Sequence, residues 1–195
     1  MSQAGTIGTR WTEAEFFTWQ ARQPDRYELV NGFPLRMMSG ARRAHDRIVR
    51  NVITALHRRL QDHPWETFTA DFAVRTGPDQ IRRPDAGVDC APGEGEELVA
   101  NDPKLVIEVL FPITSRFDLY DKLDEYRAMN GLTDIVLIAT DAIAVRHHHR
   151  DDAGGWVRRD LASLDGTIGL PTLGIELPLC DIYGGTSAAR NAPPD

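Results

Sequence analysis

The chain has 195 residues, 42% of them apolar and 26% charged, and 22 Lys and Arg against 29 Asp and Glu give a formal charge of −7. These values fit a soluble chain with a core of its own and exclude a disordered, collagen-like or membrane class. No run approaches 18 apolar residues, the N-terminal segment has no signal-peptide core, and Cys90 and Cys180 are too few for a disulfide framework or a zinc cage, so a cytoplasmic protein with reduced thiols is expected.

In chain order, Thr12 and Glu15 have the spacing of a capping box and predict a short helix over 12–21, acting as a lid or packing element. Tyr27–Val30 and Phe33–Met38 flank Asn31-Gly32, the signature of a two-residue hairpin, with Pro34 marking an edge strand. Ile48, Val49, Val52, Ile53, Leu56 and Leu60 recur at helical spacing and predict a helix over 42–61. Phe68, Ala70, Phe72 and Val74 alternate with Thr67, Thr69, Asp71 and Ala73 as one half-buried strand, and Gly77-Pro78-Asp79 turns the chain. Further strands are expected over 82–90 and 104–110, then a helix over 115–130 with Leu119, Leu123, Tyr126 and Met129 on one side, then a strand over 135–139. A helix between the last two strands implies parallel pairing. A hairpin over 142–160 and an apolar stretch over 170–183 close a single domain, 1–183, with 184–195 expected as a disordered tail. The predicted architecture is α/β (α+β): an α-β-β-β-α-β core of mixed sheet and helices, with added N-terminal and C-terminal hairpins.

Several residues stand out chemically. Glu108 lies in the most apolar strand, where a desolvated carboxylate needs a cation or strong donors, so it is either a functional acid or one paired with an arginine. Asp85, in Arg82-Arg83-Pro84-Asp85, is a turn residue or, if its strand pairs with that of Glu108, a second acid on the same face, and two such acids can hold a divalent ion. Lys122 is one of only two lysines against 20 arginines; it either bridges Asp118 one turn back or supplies the compact ammonium that arginine cannot. His45 is a core-edge residue or a neighbour of a phosphate or metal-bound water, and Glu28 an exposed strand acid or an auxiliary acid of the same cleft. His147-His148-His149 reads as a solvated hairpin, because successive strand residues alternate faces. Residues 36–83 hold ten Arg against five acids, a local +5 that is either a solvated helix face or a basic surface. Motifs of serine hydrolases, P-loops, dinucleotide folds, zincins and zinc ribbons are absent from the sequence.

Pro84-Asp85, Glu108-Val109 on a buried strand and the α-β-β-β-α-β order resemble the PD-(D/E)XK nuclease superfamily. More narrowly, the Tyr-Glu-Leu-Val-Asn-Gly hairpin, His45, Arg-Pro-Asp, Glu-Val-Leu-x-Pro-x-Thr and then Asp118, Lys122 and Tyr126 are similar to the bacterial Uma family of restriction endonucleases, over about residues 11–183. The resemblance implies a restriction-endonuclease-like fold and a Mg²⁺-dependent endonuclease, with Mn²⁺ able to substitute, in which Asp85 and Glu108 bind the metal and Lys122 assists the attacking water. His45 and Glu28 would be auxiliary, Arg42, Arg43 and Arg83 would contact nucleic acid, DNA by first choice, and a homodimer would cut two strands. Two departures from the pattern stand in this chain: Leu110 occupies the superfamily's lysine position, and Phe111-Pro112-Ile113-Thr114 replaces the family's Ser-Pro-Ser-Thr. A nuclease-fold module that binds DNA or protein without cutting is the alternative, and a hydrolase of a small phosphate ester is a third reading.

Overall fold

The computed structural model describes residues 9–37, 43–111 and 116–191, with 116–119 described by backbone alone. Helix α1 (Glu13–Gln20) begins at the expected capping box: the Thr12 hydroxyl accepts from the Glu15 N–H, and the Glu15 carboxylate accepts from the Thr12 N–H at 2.8 Å. Strands β1 (Tyr27–Val30) and β2 (Phe33–Arg36) form the predicted hairpin, turned by Asn31 and Gly32 at φ of 53° and 79°. With β4 (Val74–Gly77) and β5 (Gln80–Arg82) they make a four-stranded sheet in the order β2-β1-β5-β4, so Pro34 sits on an edge as its missing N–H demands. Phe16 of α1 packs on Leu29 and Ile81 of this sheet, and all three are fully buried.

A second sheet carries the core. Its order is β10-β9-β8-β7-β6-β3, built from β3 (Glu66–Thr69), β6 (Ala86–Asp89), β7 (Pro103–Leu110), β8 (Asp134–Ala139), β9 (Val145–Arg150) and β10 (Trp156–Leu161). Only β7 and β8 run parallel, and α3 (Arg116–Ala128) connects them, as the sequence pattern requires. One face bears Leu105, Ile107, Val109, Val136 and Ile138. It is covered by the buried stripe of α2 (Arg43–Leu60) and by a small lid of β11 (Thr167–Leu170), β12 (Ile175–Pro178) and α4 (Leu179–Tyr183). The other face bears Val106, Ile135 and Leu137 and packs on Leu123 and Tyr126 of α3. In the core sheet the order is thus α2-β3-β6-β7-α3-β8, the expected α-β-β-β-α-β, with the β4–β5 hairpin leaving it for the other sheet. Among the described residues no helix is long and apolar enough to cross a membrane.

Four expectations need correction. The alternating run over 67–74 is not one strand: it bends after Thr69, with the Phe72 N–H on the Thr69 carbonyl, and Val74 resumes in the other sheet. The run over 82–90 divides likewise, because Pro84 has no N–H with which to continue a ladder. The histidine tract is not solvated: His147 and His148 are each 3% exposed. His147 Nε2 lies 2.7 Å from Asp134 Oδ1, while Arg127 donates to His148 Nδ1, whose pKa burial and then the Arg127 charge depress to about 4. Finally, within the segment expected as a disordered tail, Ser187–Arg190 forms a fifth helix, α5, with Ala188 buried.

Candidate active site

Glu108 projects from the middle of β7 toward α3 and is only 7% exposed. Its Oε1 accepts a hydrogen bond of 2.8 Å from the Tyr126 hydroxyl and lies 3.6 Å from Lys122 Nζ. Lys122 and Tyr126 are four residues apart on α3, so one helical face delivers both. Burial pushes the Glu108 carboxyl up to about 7; the Lys122 charge opposes that rise, and the nearby charges of Asp85 and Glu28 add to it.

Asp85 stands one residue before β6. In the antiparallel register Ala86 faces Ile107, so Asp85 falls opposite Glu108. Its Oδ2 accepts from the Val109 N–H at 2.7 Å, and its Oδ1 lies 3.2 Å from His45 Nε2. His45 is the third residue of α2. Burial lowers its pKa, but the hydrogen bond to Asp85 and the charges of Asp85, Glu108 and Asp46 outweigh burial and raise it overall. The Phe111 ring stacks on His45 with centroids 5.1 Å apart and planes inclined by 14°.

Glu28 reaches the same place from the hairpin sheet and is 3% exposed. Its Oε1 accepts from the Arg83 N–H and pairs with Lys122 Nζ, both at 3.0 Å, and its Oε2 pairs with Arg82 at 3.0 Å. Burial pushes this carboxyl up, yet Lys122, Arg82 and the Arg83 N–H together hold it below the ordinary glutamate value. Arg82 is itself 1% exposed and grips Glu125 of α3 through two bonds of 2.7 and 2.6 Å. A line of alternating charge therefore runs Glu125, Arg82, Glu28, Lys122, Glu108, with the Tyr126 hydroxyl at its end.

Asp85, Glu108, Lys122, His45 and Glu28, scattered over 95 positions from 28 to 122, lie together in the fold, and Lys122 turns to Glu28 and Glu108. Arg83 does not join them as a phosphate contact. Its guanidinium is spent on the carbonyls of Tyr27, Ala70 and Asp71, and the side chain is buried because it ties the hairpin sheet to the bend after β3. Arg43 is exposed at the start of α2; Arg42 and Pro112–Thr114 lie outside the described residues, as does the side chain of Asp118. Sequence reasoning missed Arg82 and Glu125 as part of the site. Glu125, three residues after Lys122, shares its helix face, but nothing in the sequence links it to Arg82.

The fold has a counterpart among solved structures. It matches a crystal structure described as "a putative nuclease belonging to DUF820" from Anabaena variabilis ATCC 29413, with a TM-score of 0.69 and 17% identity, covering 88% of this chain and 97% of that one. Residues 13–180 match the model of the Uma2 family, described as "Putative restriction endonuclease", and the chain belongs to that family. It is similar to two proteins of Synechocystis sp. (strain ATCC 27184 / PCC 6803 / Kazusa). Slr1290 is 25% identical over 173 residues, 88% of this chain and 90% of the relative, and sll1609 is 23% identical over 154 residues, 77% and 86% respectively.

Proposed function

We propose that the protein is a metal-dependent endonuclease that hydrolyses phosphodiester bonds in nucleic acid, DNA by first choice. The observation that carries this reading is the convergence of Asp85, Glu108 and the Lys122 ammonium at one place, with Lys122 Nζ 3.6 Å from Glu108 and Asp85 opposite Glu108 in the register. The donor chemistry fits Mg²⁺ or Mn²⁺. Magnesium is ordinarily held by one or two carboxylates together with waters. Asp85 and Glu108 meet that need, and the burial that raises Glu108, with the Asp85 charge adding to it, disfavours a carboxylate that a bound cation would favour. Among the described residues no set of three or more His, Cys, Asp or Glu forms a complete cage, so water and phosphate would supply the other ligands. Such an ion, when bound, polarises the phosphate and makes its water more acidic.

The protein's own groups act around that chemistry. The Val109 N–H and His45 fix both oxygens of Asp85, and Tyr126 fixes Glu108, so the acids are oriented before substrate arrives. Glu28 holds Lys122 beside Glu108, where an ammonium favours a nearby hydroxide and the charge that grows on the phosphate oxygens. The test is cleavage of plasmid and oligonucleotide DNA with Mg²⁺ or Mn²⁺ by the purified protein beside Asp85→Ala, Glu108→Ala and Lys122→Ala. Loss of cleavage in both carboxylate variants, and a fall of about 10²–10⁴-fold for Lys122→Ala, is expected. Cleavage unchanged in both carboxylate variants would come from a contaminating nuclease and overturn the assignment.

The second reading, a module that binds but does not cut, draws on Phe111, a bulky ring against His45 where the family pattern has a serine. Calorimetric titration with Mn²⁺ separates the two: binding that depends on Asp85 and Glu108 supports the enzyme.

A further inference from the structure

Resting on the nuclease reading, we propose that this site takes a single, unpaired strand, whose bases lie on Phe33 and Leu35 of the hairpin sheet. In the antiparallel register Glu28 faces Leu35 and Val30 faces Phe33. Directly opposed residues project to the same side of a sheet with Cβ atoms roughly 4.5–5.5 Å apart. Leu35 and Phe33 therefore share the face of Glu28, the face that meets Lys122 and Arg82, and not that of Leu29, which packs on α1. Both are 47% exposed, beside one of the most buried carboxylates in the molecule.

The charge distribution points the same way. Duplex binding draws its affinity from cations that neutralise phosphates, whereas single-strand binding adds stacking of bases on apolar and aromatic side chains. Of the ten arginines in the basic stretch, Arg36 is paired with Asp25, Arg50 with Asp46, Arg59 with Asp181, Arg75 with Glu13 and Arg82 with Glu28 and Glu125, while Arg83 is held by carbonyls. Six of the ten are thus engaged within the protein, Arg43 and Arg58 stay exposed on α2, and the chain as a whole is −7. What the hairpin sheet offers beside Glu28 is the exposed apolar surface of Phe33 and Leu35, against which bases can lie.

The experiment is fluorescence anisotropy with a labelled single-stranded DNA oligonucleotide and its duplex, using the whole protein in Ca²⁺ to bar cleavage, for the wild type and for Phe33→Ala/Leu35→Ala. The single strand is expected to bind at least 10-fold tighter than the duplex, and the double variant to lose about 10-fold on the single strand alone. Both side chains are half exposed, so an unchanged urea midpoint verifies that the variant is folded. Equal affinity for the two forms, no binding of either, or a double variant that binds single strand like the wild type overturns the proposal. So does sedimentation showing a wild-type dimer that the double variant abolishes, which assigns the patch to a second copy. Metal-dependent cleavage of duplex that needs Asp85, without single-strand preference, defeats this proposal alone. Single-strand preference without any cleavage defeats only the nuclease reading.

Discussion

The two faces of β7 are both buried at the strand's centre and are chemically opposite there. Toward α2, Leu105, Ile107 and Val109 meet aliphatic side chains; toward α3, Val106 has the same neighbourhood, but the next residue on that face is Glu108, packed among Lys122, Tyr126 and the Glu28–Arg82–Glu125 chain. The aliphatic face gains stability from each methylene it removes from water. The charged face gains little net stability, since the desolvation of buried ions offsets their attraction, yet it cannot lose a member without leaving another charge stranded. Burial alone therefore does not tell a core from a site; the difference lies in what removal of one side chain leaves behind.

That contrast can be broken most sharply at Arg82. Arg82→Ala takes from the buried Glu28 one of its two cations and from the partly buried Glu125 its guanidinium partner, and a loss of about 3–5 kcal/mol in urea unfolding is expected, more than the loss of packing alone would give. On the aliphatic side, Ile107→Ala is expected to cost about 2–5 kcal/mol, scaling with the cavity left behind, and with little dependence on pH. The charged face should depend on pH. With the folded pKa of Glu108 raised to about 7, the folded state binds more protons than the unfolded state between about pH 4.5 and 7, so stability falls as pH rises through that window. The whole effect is a few kcal/mol at most, at about 1.4 kcal/mol per unit of separation, and Glu108→Gln should flatten it in denaturation series at pH 5 and 7.5. Glu28 acts in the opposite sense. Its lowered pKa contributes stability that is present above about pH 4.5 and fades as pH falls through the folded value. The smallest effect belongs to the periphery: Thr12→Ala removes the capping box of α1 and should cost about 0.5–2 kcal/mol in the same assay.

The aliphatic face was legible in the sequence, because helical spacing in α2 and the apolar run of β7 report directly which side chains leave water. What the pattern did not report was continuity. Phe68, Phe72 and Val74 are all part of the same apolar cluster, yet a bend carries the chain from one sheet to the other between them. The acids of the site were legible as contradictions, a glutamate in an apolar strand and an aspartate behind a proline. The lysine was legible as a rarity among arginines. Their partners were not: Arg82 and Glu125 are ordinary residues until folding brings together positions 43 apart. The histidine tract failed for a related reason. Alternation sends its members to opposite faces, but both faces of β9 are covered, and Asp134 awaits His147 from the neighbouring strand.

The segment Arg82-Arg83-Pro84-Asp85 leads from the end of one sheet to the start of the next, so the site lies on the seam between them. Asp85 and Glu108 belong to the larger sheet, Glu28 and Arg82 to the smaller, and Lys122 touches both sides, 3.0 Å from Glu28 and 3.6 Å from Glu108. The ammonium is thus a gauge of how the sheets are seated. A tilt of the smaller sheet by an ångström would leave the two acids opposite one another and still carry the positive charge toward or away from them.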